Sequence, residues 1–339
     1  MLDSLLVIDV CNHTPMARSD ELQERLTEFC SAKLGRAVTV SDVTRLSGGA
    51  SREMWSFAVD GRRLVLRREP VGVLPATERS PEVELLQRAA AAAVPVPPVV
   101  WTATADELGS PAFFMEHVEG ETIARRILRD DEFAHARDVM AAQCGAIVAK
   151  IQTMPTDGLD QPTTDPADAV MEQFGSLLRT LGEPHPTFEL ALRWLAQRKP
   201  AADRVVMVHG DFRNGNFIVG PEGVRAVLDW EIAHLGDPCE DLAWLCCRSW
   251  RFGAPGEVGG FGKREDLYEG YEKASGIAVD PEAVRWWEIM SSVKWGIMTI
   301  LQAFTHLSGS RNSLEHAAIG RRTVETEYDV IELMRAAKG

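Results

Sequence analysis

The segment His209-Gly210-Asp211-Phe212-Arg213-Asn214-Gly215-Asn216 decides how this chain folds. Apolar runs precede and follow it, so we expect a polar loop between two buried strands. Its carboxylate, Asp211, can orient an attacking hydroxyl and accept the proton of that hydroxyl. The amide oxygen of Asn216 is a hard, neutral ligand suited to Mg²⁺. This combination is typical of loops built for phosphoryl transfer.

A second carboxylate follows one predicted hairpin later. The run Val227-Leu228-Asp229 is typical of a buried strand that ends in an acid, and this places Asp229 opposite Asn216. We therefore predict Asn216 and Asp229 as the two metal ligands. Farther along, we expect Asp237 to cap a helix and Asp241 to brace the loop by accepting backbone N–H bonds.

Composition limits the classes of partner. The chain has 339 residues, 45% of them hydrophobic, and a net charge of −14. Because acidic chains repel nucleic-acid phosphates, we expect no nucleic-acid partner. The most apolar stretch, residues 284–307, contains Arg285, Glu288 and Lys294, which predicts a buried helix and no membrane span. Six irregularly spaced cysteines indicate free thiols and a cytoplasmic location.

The order of predicted elements changes along the chain. Up to residue 117, short strands dominate, with Asp60-Gly61 as a hairpin turn and a helix that begins at Asp20 after Ser19. After residue 117 helices dominate, interrupted by a small group of strands near the polar loop. We predict an N-terminal extension (1–18), an N-lobe (19–117) and a C-lobe (118–339) that carries the catalytic and metal-binding loops.

Two runs identify a resemblance: HGDFRNGNFIV at 209–219 and VLDWEIAHLGDPCEDLAWL at 227–245. They resemble the aminoglycoside phosphotransferase and choline kinase group within the protein-kinase-like superfamily. The chain looks closest to the branch that also occurs fused to acyl-CoA dehydrogenases. The resemblance covers roughly residues 40–250. It implies an α+β, bilobal, protein-kinase-like fold, with a small antiparallel β N-lobe and a largely helical C-lobe.

The resemblance also implies roles for individual residues. They are Asp211 and Arg213 for catalysis, Asn216 and Asp229 for the metal, and Ser47, Gly48, Gly49, Ser51, Arg67, Glu82, Glu116 and Val118 for the nucleotide. Arg67 stands where kinases place a Lys; it keeps the charge but has a larger, planar head. Glu82 would pair with it, and since Glu84 is two positions away, only one of these acids can face inward.

The function predicted is the transfer of the γ-phosphate of ATP, or of GTP, to a hydroxyl of a small molecule with Mg²⁺ as cofactor. The acceptor stays open among aminoglycosides, choline-like amines, sugars and hydroxyacyl-CoA compounds, and the oligomeric state stays open between a monomer and a homodimer. One alternative is a nucleotide-binding pseudokinase without turnover. Another is a metal-dependent hydrolase that uses His209, Asp211, Asp229 and His234.

Overall fold

The computed structural model describes residues 15–46, 53–68, 81–201, 204–310 and 313–337. The chain divides into two compact units. Unit 1 comprises Met1–Glu84 and Pro97–His117, and unit 2 comprises Leu85–Val96 and Val118–Gly339. The predicted nucleotide loop, residues 47–51, lies outside the described residues.

Unit 1 contains a five-stranded antiparallel sheet. Its strands are β1 (Val40–Arg45), β2 (Glu53–Val59), β3 (Arg62–Arg68), β4 (Val99–Ala103) and β5 (Ala112–Glu116). Their order across the sheet is β1-β2-β3-β5-β4. Three helices accompany the sheet: α1 (Pro15–Leu34), α2 (Pro81–Ala91), which continues into unit 2, and α3 (Ala105–Leu108).

The hairpin between β2 and β3 has the predicted turn. Val59 pairs with Arg62, and the two residues between them, Asp60 and Gly61, have φ values of 49° and 85°. A two-residue turn with positive φ at both positions matches the twist of the flanking strands. This turn fixes the register of β3 and so decides that Arg67 pairs with Met54.

Helix α1 begins earlier than the sequence pattern indicated. It starts at Pro15, whose fixed φ suits the first turn of a helix, so Ser19 lies inside the helix. The Ser19 hydroxyl donates to Val43 O (3.3 Å) and thereby ties α1 to β1. On its other turns α1 buries Phe29, which stacks on Phe114 of β5 with ring centroids 4.7 Å apart.

Unit 2 is mainly helical. Its helices are α4 (Ala124–Arg129), α5 (Ala134–Ile151), α6 (Pro166–Leu181), α7 (Pro186–Ala196), α8 (Glu240–Cys246), α9 (Arg264–Ser275), α10 (Pro281–Leu307), α11 (Leu314–Gly320) and α12 (Thr323–Ala336). The periodicity of residues 313–336 predicts a single helix there. A turn at residues 321–322 instead separates α11 from α12. Gly320, the last residue of α11, packs closely on α10, since an added Cβ would lie 2.4 Å from the Cβ of Ala303. No helix in the described ranges combines the length and the apolar character needed to cross a bilayer.

Two small β ribbons hold the polar loop of unit 2. Strands β6 (Val206–Val208) and β9 (His234–Gly236) pair in one ribbon, and β7 (Phe217–Gly220) and β8 (Gly223–Val227) pair in the other. The loop of residues 209–216 therefore runs from the first ribbon to the second. Together with the sheet of unit 1 and the helices of unit 2, these ribbons confirm the predicted α+β class.

Candidate active site

Buried aromatic side chains anchor the polar loop. Phe212 of the loop, Phe217 of β7 and Trp230 after β8 are all fully buried. The rings of Phe212 and Phe217 lie 4.9 Å apart, and the Trp230 indole donates to Val227 O (3.2 Å). Burying a large aromatic side chain stabilises a fold by several kcal/mol, roughly 3–5 by truncation to Ala. The loop is thus anchored to a packed aromatic core.

His209 has a structural role within the loop. Its Nδ1 accepts the backbone N–H of Asp211 (3.2 Å), and its Nε2 donates to Leu228 O (3.0 Å). The ring is fully buried, and burial lowers the pKa of His209, so the ring is neutral and carries its proton on Nε2. Since both nitrogens have partners, neither can bind a metal.

Asp241 of α8 braces the loop, as the sequence predicted. Its Oδ2 accepts the backbone N–H of His209 (2.8 Å), and its Oδ1 accepts that of Gly210 (3.0 Å). Burial raises the pKa of Asp241, while these two bonds act in the opposite direction. Gly210 has a φ of 82°, and a Cβ there would lie 2.7 Å from Ile232 O, so only glycine fits.

Asp211 is held by three side-chain donors. Its Oδ1 accepts hydrogen bonds from Arg213 Nε and from Trp244 Nε1, each at 2.9 Å. Its Oδ2 accepts one from Asn216 Nδ2 at 2.7 Å. Hydrogen bonds to a charged acceptor are about twice as strong as neutral ones. The carboxylate therefore has one fixed orientation, which is what a group that must meet a hydroxyl in a defined geometry requires.

Asn216 and Asp229 lie at neighbouring positions. The last residue pair of the second ribbon is Phe217 with Val227, and the N–H of Leu228 donates to Asn216 O (2.8 Å). Asp229 follows directly and has a φ of 67°, a conformation uncommon outside glycine that recurs at functional sites. Since Asn216 Nδ2 is used by Asp211, its Oδ1 is the atom left for a cation. This donor set, one amide oxygen and one carboxylate, fits Mg²⁺.

Two of the predicted nucleotide residues of unit 1, Arg67 and Glu82, form an ion pair. Arg67 of β3 donates to Glu82 of α2, and both side chains are largely buried. Glu84 on the same helix is exposed, so the inward-facing acid is Glu82.

The other predicted nucleotide residues lie apart from this ion pair in the sequence. Glu116 pairs with Arg62, and the backbone N–H of Glu116 donates to Pro98 O (3.0 Å). Val118, half-buried, is the first residue of this part of unit 2, whereas Ser47, Gly48, Gly49 and Ser51 lie outside the described residues.

Sequence reasoning missed one member of the Asp211 network. Trp244 lies in the apolar run of α8 and had no assigned role, yet its indole N–H bonds to Asp211. The three-residue spacing between Asp241 and Trp244 was the sequence feature that could have predicted this contact. Residues three apart share one face of a helix, so a helix that turns Asp241 toward the loop also turns Trp244 toward it.

The metal-hydrolase alternative finds no support in unit 2. His234 is held by Ile232 O (2.9 Å) and by the Glu240 carboxylate (3.2 Å). In the part of the chain that the structure describes, no group of three or more His, Cys, Asp or Glu residues could hold a metal ion. His209, as shown above, uses both of its nitrogens within the loop.

A family model described as "Phosphotransferase enzyme family" (APH) matches residues 42–287, and the chain belongs to that family. This match includes the Arg67–Glu82 ion pair of unit 1 and the polar loop (209–216) of unit 2.

Individual comparisons agree with this assignment. The acyl-CoA dehydrogenase family member 10 of Mus musculus is 28% identical over 256 residues, which cover 71% of this chain and 24% of that protein. The chain thus spans about a quarter of the length of this curated relative. The predicted resemblance to the acyl-CoA-dehydrogenase-linked branch is confirmed.

Solved structures share the fold. A crystal structure described as a putative aminoglycoside phosphotransferase from Ralstonia eutropha has a TM-score of 0.74 and 21% identity, covering 93% of this chain and 98% of that one. A thermostable mutant of the aminoglycoside phosphotransferase APH(4)-Ia, in a ternary complex with ADP and hygromycin B, has a TM-score of 0.60 and 19% identity. The match covers 93% of this chain and 99% of that one. The predicted kinase-like fold is confirmed.

Proposed function

We propose that this protein transfers the γ-phosphate of ATP to a hydroxyl group of a small molecule. The observation that carries the proposal is the arrangement of Asp211 and Asn216, in which the Asn216 amide nitrogen donates to Asp211 Oδ2 (2.7 Å). One bond fixes the carboxylate that would receive the proton. The same bond leaves the amide oxygen of Asn216 as the ligand atom for a cation beside Asp229.

Asp211 would act as the general base. In that role its carboxylate accepts the proton of the acceptor hydroxyl while the acceptor oxygen forms a bond to the γ-phosphorus. The bond between the γ-phosphorus and the bridging oxygen breaks, and ADP leaves with the electron pair. Arg213, whose Nε is bonded to Asp211, would place positive charge next to the reacting groups.

Asn216 and Asp229 would hold Mg²⁺, which when bound neutralises charge on the β- and γ-phosphates. In unit 1, Arg67 would contact the nucleotide phosphates, with Glu82 fixing the orientation of its guanidinium. The remaining nucleotide residues of this proposal are Ser47, Gly48, Gly49, Ser51, Glu116 and Val118. The solved structure that contains ADP and hygromycin B supports a nucleotide and a small molecule as the two substrates.

A test of this function is an acceptor screen coupled to ADP release. The full chain is incubated with ATP, or with GTP, and with aminoglycosides, choline-like amines, sugars or hydroxyacyl-CoA esters, with and without MgCl₂. We expect ADP release that depends on one acceptor class and on Mg²⁺, and that Asp211→Asn abolishes. Nucleotide binding without acceptor-dependent release for any compound would favour the pseudokinase, and equal release by the wild type and Asp211→Asn would refute the proposal.

A further inference from the structure

The side chain of Trp244 contacts the proposed catalytic base directly. Trp244 lies on α8, is 5% exposed, and donates its indole N–H to Asp211 Oδ1 at 2.9 Å. Three residues earlier on the same helix, Asp241 accepts the backbone N–H groups of His209 and Gly210. One face of α8 thus fixes both the backbone of the loop and the carboxylate that the loop carries.

Neighbouring side chains fix the Trp244 ring. Trp250 packs against it with ring centroids 5.2 Å apart, and the Lys294 ammonium lies 4.9 Å from its centroid. Trp250 in turn packs against Trp295 (4.8 Å). Because an indole has a single N–H and no acceptor, a ring held in this way directs its one donor to one point. That point is Asp211 Oδ1.

The two oxygens of Asp211 differ in how many hydrogen bonds they accept. Oδ1 accepts from Arg213 Nε and from Trp244 Nε1. Oδ2 accepts from Asn216 Nδ2, its one donor among the described side chains. Each carboxylate oxygen has roughly two lone-pair sites. Oδ1 is therefore saturated, and Oδ2 keeps one site that can take a proton.

We propose that Trp244 is a positioning residue that saturates Oδ1 of Asp211 and thereby directs the acceptor proton to Oδ2. The proposal rests on the phosphotransferase function proposed above. Without the indole N–H, Oδ1 would also be able to take the proton, and the carboxylate would lose one of the three bonds that set its orientation. The consequence is a slower chemical step with nucleotide binding unchanged.

The hydrogen bond can be tested without any acceptor substrate. Indole N–H resonances of the full chain are recorded by ¹⁵N NMR, and the Trp244 signal is assigned as the one that Trp244→Phe removes. We expect Asp211→Asn to shift this signal, because the acceptor loses its charge, and to leave the Trp287 signal in place. A Trp244 signal that does not move would overturn the proposal whatever the activity of the protein.

The role in the reaction is tested by steady-state kinetics on Trp244→Phe. We expect kcat to fall about 10- to 100-fold, the effect of losing one hydrogen bond to a charged group, with the KM for ATP within about twofold of wild type. The matched control is Trp287→Phe. Trp287 is 2% exposed, and its buried N–H has no acceptor among the described residues, so the same change there removes no hydrogen bond.

A shape-conserving replacement keeps the test decisive if Trp244→Phe folds poorly. Replacement of Trp244 by 3-benzothienylalanine retains the two-ring shape and exchanges the N–H for sulfur. A fall in kcat like that of Trp244→Phe, without loss of thermal stability, supports the proposal. Unchanged kcat, or a parallel loss of kcat, nucleotide affinity and stability, overturns it. If the wild type transfers phosphate to none of the acceptors, the proposed function fails, and the NMR result still decides whether the bond exists.

Discussion

The two units hold their polar side chains in different ways. In unit 1, Arg67 and Glu82 join a strand to a helix through a charged pair whose side chains are 11% and 3% exposed. In unit 2, Asp211 lies on a loop that packs on buried aromatic rings, and it accepts hydrogen bonds from two side chains of that loop and from Trp244 of α8. A buried charged pair depends strongly on each partner, whereas a network divides the same task among several donors. We therefore expect the loss of one partner to cost more stability in the charged pair of unit 1 than the loss of one hydrogen bond costs in unit 2.

The largest effect should follow Asp211→Asn. Asn has the same size and keeps an oxygen acceptor, but it cannot take a proton at neutral pH. We expect kcat to fall about 10²- to 10⁴-fold. Asn also turns an NH₂ group toward at least one of the three donors to Asp211, so we expect a moderate fall in melting temperature as well. ADP release and thermal unfolding measure the two quantities, and Asp131→Asn, at an exposed position, is the control. Retention of more than a tenth of the wild-type kcat would exclude Asp211 as the base.

The next largest effect should follow Glu82→Ala, and it should be on stability. The change removes the carboxylate that faces the largely buried guanidinium of Arg67. Loss of one partner of a buried pair lowers the free energy of unfolding by about 3 kcal/mol. Denaturant unfolding measures this, with the exposed Glu84→Ala as the matched control on the same helix. Equal unfolding free energies for the two variants would show that the stability of the fold does not depend on the Glu82 carboxylate, which contradicts the comparison drawn above.

A smaller effect should follow Asp241→Asn. Asp241 accepts two backbone N–H groups, one on each oxygen, and Asn would turn an NH₂ group toward one of these donors. We expect the free energy of unfolding to fall by about 2 kcal/mol, because one buried N–H loses its acceptor. We also expect kcat to fall, since the loop shifts. If stability falls and kcat does not, the loop keeps its geometry without the brace.

The smallest effect should follow Asp237→Asn, and it should be stabilising. Burial raises the pKa of Asp237 to about 6, so the folded state holds a proton more tightly than the unfolded state. Its contribution to stability is therefore present at low pH and is lost as the pH rises through about 6. Asn carries no charge and keeps the bond that Cys239 N–H donates (2.8 Å). We expect a gain on the order of 1 kcal/mol at pH 8 that vanishes near pH 4; a gain independent of pH would contradict the assigned cause.

The polar loop could be predicted from the sequence because its chemistry is local. Asp211, Asn216 and Asp229 lie on one loop and one hairpin, so their spacing along the chain limits their separation in space. The brace by Asp241 was accessible for a similar reason, since a helix start follows Asp237 and Pro238. The antiparallel sheet followed from strand patterns and from the turn at Asp60 and Gly61.

Other features required the folded chain. Trp244 looked like a core residue because its run is apolar, and only packing shows where a single indole N–H points. Strand β9 is three residues long and carries no alternating pattern, so it was missed. Helical spacing alone does not separate Glu82 from Glu84; the resemblance favoured Glu82, and in the structure Glu82 is buried while Glu84 is exposed. In each case the deciding contact joins segments far apart in the sequence, or depends on which face of a helix is covered.

Two side chains of α8 hold the loop, and this constrains how the protein could be re-engineered. A chimera that transplants residues 209–216 into a related scaffold would bring the proposed base but not the groups that hold it. The acceptors for the loop backbone and one donor to the carboxylate lie on residues 240–246. Residues 209–246 should therefore be transferred together. Recombination breakpoints between positions 216 and 240 should yield folded proteins with impaired turnover, and breakpoints that leave residues 209–246 together should impair it less.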